Sequence, residues 1–507
     1  MKNYFSIRVF FVCLCAFVTT ANAATDKPNI ILVLLDDMGW RDTGFMGNTY
    51  VETPTLDEWA KEGLVFNHAY SNAPNCAPSR AAIVSGQYAP RTNVYTMIKG
   101  DMGDARLRRV QTPPNKTYLE PAVITLAEML KSAGYRTAQI GKWNLGTGNV
   151  RGPTGQGFDI NIAGSRMGDA HNGFFSPYGL TAIEDGPKGE YLTDRLNDEA
   201  LKVIREKDTR PFFIYLSHFA PHYPYQAPES LIKKYTAKKN TRNNLKEPRS
   251  SEPMVPEYAA MIERVDQGLA NIKKTLAEEN LTDNTLIIFT SDNGGYDGVA
   301  YMDPLRGQKS LLYEGGIRVP MLMHWPHHIS AGVSNEPVIG IDIFPTLMRA
   351  ANVAAVNQAL DGRDLSPLFH AAGKSLERES LYWYFPGYVA GHYDHAADRV
   401  FQQRPAAVIR QQQWKLIQYL DSDHVELYDL ENDPAEKQNL VDSDPQRANQ
   451  LKSALQQWLS TMHAPLPLSP NPEYSERYRH YYEDYYVNSW ISRLRAKLWP
   501  WFREPDL

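Results

Sequence analysis

The amino-acid sequence predicts an α/β fold in which helices sandwich a large, mostly parallel sheet, followed by a smaller C-terminal α+β domain with an antiparallel sheet. Apolar, β-branched runs recur along most of the chain, and amphipathic helical patterns separate them, which predicts the first part. Short strand-like runs separated by turns follow later, which predicts the second part. The chain has 507 residues, enough for two domains of this kind.

Four apolar runs each end in a polar cluster. They are Asn29–Leu35, Tyr135–Ile140, Pro211–Leu216 and Leu286–Thr290, and helical patterns lie between them at Ile124–Ala133, Tyr191–Glu206 and Tyr258–Glu279. A continuous apolar run is typical of a parallel strand that is buried on both faces. Since sites in open α/β sheets form at the carboxyl ends of the strands, we expect the four polar clusters to meet at one site.

The predicted domain boundary lies near Gly373. Residues 24–373 form the catalytic domain, 374–470 the α+β domain, and 471–507 a tail rich in Tyr, Trp and Arg. In the second domain strands are predicted at Ala407–Arg410, Trp414–Tyr419 and Val425–Tyr428, and an amphipathic helix at Pro445–Met462. We expect the tail to pack on its own chain, with an interfacial or subunit-contacting helix as the alternative.

Residues 1–23 have the pattern of a signal peptide. Lys2 and Arg8 supply positive charge, Val9–Val18 is apolar, and Ala21-Asn22-Ala23 fits a cleavage site. An uncleaved anchor is the alternative, although the apolar stretch is short for a membrane span. We therefore expect an exported protein, periplasmic or secreted, with no integral membrane segment after cleavage.

The charge balance of the chain is mildly acidic. The formal net charge is −5, and removing Lys2 and Arg8 with the signal peptide takes it to −7. A chain without basic character is not expected to bind nucleic acid. If its substrate is an anion, the attraction must come from a local basic site.

One cysteine remains after the predicted cleavage. Of the three in the sequence, Cys13 and Cys15 lie in the signal peptide, which leaves Cys76 and no internal disulfide. An inert buried thiol is one interpretation. The other is a reactive group, because the residues just after Pro78 can begin a helix whose N-terminal N–H groups favour negative charge, and Arg80 adds a cation one turn in.

An oxygen-rich set of side chains follows two of the predicted strands. Asp36 and Asp37 follow the first strand, and Asp292 and Asn293 follow the last of the four. Each pair alone could be a helix cap or a turn. Together they favour a metal site, and oxygen ligands suit Ca²⁺ or Mg²⁺ rather than zinc.

The run Cys76-Ala77-Pro78-Ser79-Arg80 resembles the C-x-P-S-R signature of type I, formylglycine-dependent sulfatases in the alkaline-phosphatase-like superfamily. The resemblance extends in outline over about residues 27 to 440. Blocks in the family's order lie at Ile31–Gly39, Gly134–Gly146, Pro211–Pro228, Ser291–Gly295 and Leu305–Pro320.

This resemblance implies a set of roles for the matching residues. Cys76 would be oxidised to formylglycine (3-oxoalanine) by a formylglycine-generating or radical maturation enzyme, and the aldehyde would hydrate to a gem-diol. The implied calcium ligands are Asp36, Asp37, Asp292, Asn293 and the modified Cys76, with Mg²⁺ a less favoured ion. Arg80 would stabilise the diol, Lys142 and Lys309 would bind sulfate, and His222 would protonate the leaving group. Without the surrounding blocks, the histidine would be a structural hydrogen-bonder and the lysines solvated charges.

Asn144 departs from the family pattern. The family usually has histidine where this chain has Asn144, and that histidine assists deprotonation of the diol as sulfate leaves. An amide can hydrogen-bond a hydroxyl but cannot accept its proton near neutral pH. The consequence would be a different base, slower turnover or an impaired enzyme. His218 is a candidate for such a base only because it lies near His222 in the sequence.

Two loops are candidates for contact with the substrate. Gly164–Gly179 carries Arg166 and His171, and Phe385–Arg404 carries His392 and Arg404; ordinary surface loops are the alternative in both cases. Further blocks at Leu381–Pro386 and Arg410–Leu430 resemble bacterial glycan sulfatases.

The expected substrate is therefore a sulfated polysaccharide or oligosaccharide. An algal galactan such as carrageenan is preferred over a host glycosaminoglycan. A phosphonate or phosphate ester hydrolase of the same superfamily, and a catalytically impaired carbohydrate-binding relative, stay open. The sequence does not fix the oligomeric state.

Overall fold

The computed structural model describes residues 27–97, 99–244, 254–353, 357–391 and 396–487. The predicted signal peptide, His392 and the last twenty residues of the tail lie outside the described residues. Within the described ranges, no helix is both long enough and apolar enough to span a bilayer.

The strands and helices of the described ranges alternate along the first two thirds of the chain. The strands are β1 Asn29–Leu35, β2 Leu64–Phe66, β3 Ala69–Tyr70, β4 Arg136–Gly141, β5 Ile160–Ile162, β6 Phe212–Ser217, β7 Thr285–Ser291, β8 Met321–His324, β9 Gly332–Ser334, β10 Val338–Ile339, β11 Leu381–Phe385, β12 Val389–Ala390, β13 Phe401–Gln403, β14 Ala406–Gln411, β15 Trp414–Tyr419 and β16 Val425–Asp429. The α-helices are α1 Pro54–Glu62, α2 Cys76–Ser85, α3 Ala89–Thr92, α4 Leu126–Ser132, α5 Gly148–Arg151, α6 Leu192–Arg205, α7 Glu229–Asn244, α8 Pro256–Glu278, α9 Glu314–Ile317, α10 Ile343–Ala350, α11 Pro445–Thr461 and α12 Glu476–Tyr482. Short 3₁₀ turns lie at Gly44–Met46, Ala105–Leu107, Pro153–Gln156, Gly340–Asp342 and Ser366–Leu368, and a π-helical turn at Glu483–Val487 follows α12.

The large sheet has eight strands in the order β5-β4-β6-β1-β7-β8-β2-β9. Its strands run parallel except β8, which is antiparallel to both of its neighbours. The prediction of a large, mostly parallel sheet is therefore confirmed. The antiparallel strand was not foreseen, because a four-residue run gives no local signal of its direction.

Helices cover both faces of this sheet. Alternate residues of β1 point to opposite faces, so Ile31 and Val33 pack in a cluster with residues of α6 and α8, whereas Ile30 and Leu32 pack in a second cluster with α2, α4 and α10. Every residue of β1 is buried. The continuous apolar run thus reflects a central strand with a helical layer on each side, as predicted.

The four strands with polar clusters at their ends are neighbours in the sheet and end at the same level. Ser217 of β6 pairs with Gly141 of β4 on one side and Leu34 of β1 on the other, and Leu35 pairs with Ser291 of β7. The residues that follow these positions therefore emerge side by side at the carboxyl edge of the sheet. This register brings the predicted site together.

The C-terminal region forms a four-stranded antiparallel sheet in the order β11-β14-β15-β16, which confirms the predicted fold of this part. One face packs against α11, and the other packs against residues of the catalytic region such as Tyr70 and Ile317. Gly373 as the boundary between the two domains stays a prediction.

A buried ion cluster joins the two sheets. Lys415 of β15 is fully buried, with Nζ 3.0 Å from Oε1 of Glu314 and 2.9 Å from Oε1 of Glu436. Oε2 of Glu436 accepts a hydrogen bond from the backbone N–H of Glu314 at 2.7 Å. Glu314 begins α9, in the segment that carries Lys309.

The described part of the tail packs on its own chain, as predicted. Helix α12 lies against the turn at Ala105–Leu107, and the guanidinium of Arg106 lies 3.7 Å from the ring centroid of Tyr478. Aromatic rings of the tail thus cover a loop of the catalytic region.

Candidate active site

Three carboxylates and one amide form the floor of the site. Asp36 and Asp37 follow β1, and Asp292 and Asn293 follow β7; all four are buried. Asp37 has a positive φ of 64°. Its Oδ1 accepts a hydrogen bond from Nδ2 of Asn293 at 2.8 Å, and its N–H points to Oδ1 of Asp292 at 3.2 Å. The two strand ends are therefore joined directly.

Three buried cations face these carboxylates. Lys142 Nζ lies 2.7 Å from Oδ2 of Asp36, and Lys309 Nζ lies 2.6 Å from Oδ2 of Asp37. Arg80 contacts Oδ2 of Asp292 through Nε at 2.9 Å and through Nη2 at 2.8 Å. Within these six residues the formal charges cancel.

Gly141 allows Lys142 to enter the site. Its φ is 101°, in the region that favours glycine, and a Cβ there would lie 1.9 Å from the carbonyl oxygen of Ser217. The N–H of Lys142 donates to that same carbonyl at 2.7 Å. A side chain at position 141 would separate the two strand ends and move the lysine.

Cys76 is the first residue of helix α2 and is completely buried. Asn75 precedes the helix without capping it through its side chain, so no side-chain cap occupies the N–H groups of the first turn. The helix begins at Cys76 itself and not after Pro78 as predicted, because proline is tolerated in a first turn, where its missing N–H has no helical acceptor. Arg80 lies one turn in, as predicted.

Met97 and Ser217 are site residues that the sequence analysis does not select. Met97 places its Sδ 3.5 Å from Sγ of Cys76. Ser217 ends strand β6, and its Oγ accepts a hydrogen bond from Nη1 of Arg80. Nη1 of Arg80 also donates to the carbonyl oxygen of Lys142 at 2.9 Å. A position at the end of a strand was the available clue for Ser217; Met97 had none.

His222 lies at the edge of the site. Its Nε2 is 3.4 Å from Oδ2 of Asp37, and its Nδ1 donates to the carbonyl oxygen of Tyr223 at 2.7 Å. Burial lowers the pKa of His222 to about 4, against the opposing effect of Asp37. Nδ1 is thus fixed as a donor, and Nε2 is left to face the site.

His218 is fully buried, and neither ring nitrogen has a hydrogen-bond partner among the described residues. Burial lowers its pKa to about 3. No described charge of the site lies in hydrogen-bond contact with it. The suggestion that His218 replaces the usual histidine gains no support from this geometry.

Electrostatic effects differ among the carboxylates. Burial raises the pKa of Asp36, and Lys142 offsets this only in part because Asp292 and Asp37 add to the increase. The pKa of Asp37 is lowered to about 2, because Lys309, His222 and Lys142 outweigh the effect of burial. Burial also raises the pKa of the Cys76 thiol. An unmodified Cys76 is therefore a poor thiolate nucleophile.

The donor set fits a hard divalent cation. One ligand atom from each of Asp36, Cys76 and Asp292 lies within 4.8 Å of the others, and the same holds for Asp36, Asp37 and His222. Oδ1 of Asp36 and Oδ1 of Asn293 are buried without a hydrogen-bond partner among the described residues. Buried carboxylate and amide oxygens without hydrogen-bond partners are suitable ligands for a hard divalent cation.

Asn144 follows Lys142 by two residues and has a positive φ of 60°. Its N–H donates to the carbonyl oxygen of Ser165 at 2.8 Å, and its Nδ2 donates to that of Arg166 at 3.0 Å. Oδ1 is buried without a hydrogen-bond partner in the described ranges. Asn144 thus fixes the start of the 164–179 loop and keeps one free acceptor.

The predicted substrate-contacting residues lie in different surroundings. Arg166 is exposed and forms no side-chain ion pair within the described residues, and His171 is also exposed, 3.6 Å from a carboxylate oxygen of Asp169. Arg404 is buried and pairs with Asp421 at 3.1 Å and Asp398 at 3.4 Å. His392 lies outside the described residues. Contact between these residues and a substrate stays a prediction, and for Arg404 the observed role is to hold the small domain together.

Comparison with known proteins places this chain in a family. The family model described as "Sulfatase" matches residues 28–353, and the model described as "N-sulphoglucosamine sulphohydrolase, C-terminal" matches residues 307–464. A sulfatase of Formosa agariphila is 30% identical, with 92% of this chain and 95% of the relative covered. Human N-acetylgalactosamine-6-sulfatase is 31% identical, with 72% of this chain and 69% of the relative covered.

A solved structure with a bound oligosaccharide has the same fold. The crystal structure of Ps i-CgsB in complex with k-i-k-neocarrahexaose is 28% identical and superimposes with a TM-score of 0.69, covering 90% of this chain and 97% of the other. A phosphonate monoester hydrolase of Agrobacterium radiobacter is 19% identical with a TM-score of 0.62, which shows the shared fold alone.

Proposed function

Because the chain belongs to the sulfatase family and is a sulfuric ester hydrolase, we propose that it is exported and removes sulfate from a sulfated galactan of the carrageenan type. The overall reaction consumes water and converts the sulfate ester into an alcohol and inorganic sulfate. The observation that carries the proposal is the pairing of three buried cations with three carboxylates around Cys76. This arrangement supports binding of a sulfate ester at that point.

In this proposal Cys76 is converted to formylglycine, whose hydrate supplies the nucleophilic oxygen. Asp36, Asp37, Asp292 and Asn293 would hold Ca²⁺, which supplies positive charge that stabilises anionic oxygens. Because the six charged residues of the site are formally neutral together, the added ion leaves a net positive site for an anionic ester.

The chain's own cations would bind the sulfate group. Lys142 and Lys309 are held by Asp36 and Asp37, so their ammonium groups are ordered before the substrate arrives. Preorganised donors in a site shielded from water are a large source of transition-state stabilisation. Arg80, fixed by Asp292 and Ser217, would hold the modified residue 76 in position.

Because burial lowers its pKa to about 4, His222 would take up a proton on Nε2 when the anionic ester lies beside it, and would then transfer that proton to the departing sugar oxygen. Its Nδ1–H is held by the carbonyl of Tyr223, so Nε2 is the atom that can carry this proton. General acid catalysis of this kind contributes about 10²–10⁴-fold to the rate. Asn144 would orient the nucleophile through its free Oδ1 and cannot act as a base.

Two observations on relatives favour a galactose-type sugar. One relative is named for N-acetylgalactosamine 6-sulfate, and Ps i-CgsB was crystallised with a neocarrahexaose, a hexasaccharide of the carrageenan type. The match to that neighbour covers 90% of this chain and 97% of the neighbour. A glycosaminoglycan is the alternative that the first of these relatives keeps open.

The deciding experiment is release of sulfate from defined oligosaccharides. Purified protein is incubated with carrageenan, chondroitin and heparan oligosaccharides of known sulfation, and the products are mapped by position. We expect release from carrageenan oligosaccharides. Release confined to the glycosaminoglycans would replace the proposed substrate. Aryl sulfate, phosphate and phosphonate esters are measured in parallel, and dominant phosphate or phosphonate turnover would contradict the proposed main activity.

A further inference from the structure

The C-terminal segment 469–487, here named the C-terminal brace, returns from the small domain to the catalytic region. It contains α12 and the π-helical turn that follows. The N–H of Gln111 donates to the carbonyl oxygen of Ser469 at 2.9 Å, and Pro470 forms a β-bridge with Val110. The brace thus starts by pairing with the end of the loop 99–111.

Further along, the brace binds the middle of the same loop. Nδ2 of Asn471 donates to the carbonyl oxygens of Ala105 at 2.7 Å and Arg108 at 2.8 Å. The N–H of Ser475 donates to the carbonyl oxygen of Arg106 at 2.9 Å, next to the contact of Arg106 with Tyr478. Backbone acceptors of the loop are therefore satisfied by the brace, which fixes the loop's path.

Helix α12 also binds a second segment, residues 398–403. Nη2 of Arg479 lies 2.6 Å from Oδ2 of Asp398, and the two side chains are only 8% and 9% exposed. Oδ1 of Asp398 accepts hydrogen bonds from the N–H groups of Val400 at 2.8 Å and Phe401 at 2.9 Å. A buried arginine of the brace therefore pairs with the carboxylate that also accepts two backbone hydrogen bonds within this segment.

The segment 398–403 reaches the catalytic lysine. Nε2 of Gln402 donates to the carbonyl oxygen of Lys309 at 3.0 Å, and Oε1 of Gln403 accepts from the N–H of Leu312 at 3.0 Å. The contact is to the backbone of Lys309. Its ammonium group is held independently by Asp37.

The loop 99–111 follows a residue that contacts Cys76. Met97, two residues before it, places its Sδ 3.5 Å from Sγ of Cys76. The brace therefore joins two segments that lie next to different parts of the site. The loop 99–111 follows a residue that contacts Cys76, and residues 398–403 bind the backbone of Lys309.

We propose that the C-terminal brace is a positioning element for recognition of the glycan. Arg479, acting through Asp398, holds residues 398–403 beside Lys309 and across from the loop 99–111, so that the two segments form the rim against which the sugars flanking the sulfate ester lie. This inference rests on the proposed glycan substrate. The charged groups that would bind sulfate are held by ion pairs within the catalytic region. Loss of the brace contact is therefore expected to displace the rim and to leave these groups in place.

The test is substitution of Arg479 in the full-length protein, with two substrates of different size. Arg479→Met is compared with Arg477→Met, which changes an exposed arginine on the same helix. Asp398 keeps Arg404 at 3.4 Å in the variant, so its charge is not left buried alone. Initial rates are measured with 4-nitrophenyl sulfate and with a sulfated neocarrahexaose.

For Arg479→Met we expect kcat/KM on the hexasaccharide to fall roughly tenfold or more, mainly through KM, because small displacements of positioning groups have large kinetic effects. On 4-nitrophenyl sulfate we expect a change of less than about twofold, since no sugar contacts the rim. Arg479→Lys should restore part of the lost affinity, and Arg477→Met should match the wild-type protein on both substrates.

Several outcomes would overturn the proposal. Equal losses on the two substrates would assign Arg479 a general structural role, and an unchanged hexasaccharide KM would remove it from recognition altogether. If Arg479→Met does not fold, Asp398→Asn is measured in the same way, because an asparagine Oδ1 can still accept from Val400 and Phe401. If the wild-type protein releases sulfate from another glycan and not from the hexasaccharide, an oligosaccharide of that glycan is used in the same comparison of variants. If it hydrolyses the aryl ester alone, the glycan substrate and the brace proposal both fail.

Discussion

Arg80 and Asp292 form an ion pair that is completely removed from solvent, with Nε and Nη2 of the arginine 2.9 Å and 2.8 Å from the same carboxylate oxygen. The pair links helix α2, which begins at Cys76, to the end of strand β7. It therefore couples the position of Cys76 to that of the carboxylate cluster.

Substitution of Arg80 by methionine is expected to lower both stability and activity. It leaves Asp292 buried without its cation, which typically costs about 3–5 kcal/mol in the free energy of unfolding. Denaturant unfolding measures the loss, and Lys233→Met, which breaks an exposed pair with Glu229, is the control with an expected loss of about 1 kcal/mol or less. Equal losses in the two variants would contradict the importance assigned to the buried pair.

Cys76 is expected to carry an aldehyde in the active protein. Peptide mass spectrometry of protein made with a maturation enzyme should find formylglycine at position 76. Protein made without that enzyme should keep the thiol and be inactive, because burial raises the pKa of this thiol and leaves little thiolate. Full activity in a preparation whose Cys76 is entirely unmodified would exclude the proposed nucleophile.

Removal of Ca²⁺ is expected to lower the melting temperature and abolish sulfate release. A ligand that binds only the folded state at a hundred times its Kd stabilises that state by about 2.7 kcal/mol. Calorimetry with and without a chelator measures the shift, and Ca²⁺ should restore it. Asn293→Ala should weaken the response, whereas Asp283→Asn, at an exposed position, should not. A melting temperature indifferent to chelator would argue against the metal site.

Asn144→His is expected to raise kcat on 4-nitrophenyl sulfate, because imidazole can accept the proton that an amide cannot. Position 144 has a φ of 60°, a conformation that histidine also tolerates better than most residues. The gain should appear as pH rises through the histidine pKa. Asn144→Ala, which removes the bond to Arg166 and adds no base, is the matched control. If histidine gives no gain in an intact fold, another residue already supplies the base.

His68 is expected to make folding stability depend on pH. Its Nδ1 faces Nη2 of Arg410 at 3.0 Å, and burial, Arg318 and Arg410 lower its pKa from 6.5 to about 3. The unfolded chain takes up this proton at a higher pH than the folded chain does. The free energy of unfolding therefore falls as pH drops from 6.5 toward 3, by up to about 1.4 kcal/mol per pH unit. Unfolding at pH 7 and pH 5 measures the slope.

The control for this prediction is a pair of glutamine substitutions. His68→Gln should reduce the difference between pH 7 and pH 5, since glutamine can accept from Arg410 without titrating. His327→Gln, at an exposed position, should leave the difference unchanged. A slope unaffected by His68→Gln would show that other groups control acid unfolding.

The parts of the fold that could be predicted are those with a local signal. The strand at Asn29–Leu35 is a continuous apolar run, and the polar pair that follows it had to lie at the carboxyl edge of the sheet. The convergence of Asp36, Lys142, His222 and Asp292 followed from that geometry and from the family resemblance together. Lys142 contacts Asp36, His222 contacts Asp37, and the N–H of Asp37 donates to Asp292, so these strand ends do meet.

The parts that could not be predicted depend on partners far away in the sequence. Arg404 lies in a loop for which the sequence predicts contact with the substrate, and the structure adds that its guanidinium pairs with Asp398 and Asp421. Met97 reaches Cys76 from 21 residues away, and nothing in its neighbours indicates this. Side-chain pairing across segments is set by tertiary packing, which periodicity does not encode.

The burial of Lys415 limits which recombination events this protein can tolerate during evolution. Its ammonium is buried between a glutamate that precedes it by 101 residues and another on its own side of the interface. A recombination that replaced the C-terminal sheet with one lacking this lysine would leave Glu314 charged and enclosed, five residues from Lys309. The two halves of the gene are therefore expected to be inherited as one unit, with exchange tolerated only when the lysine and its two acidic partners travel together.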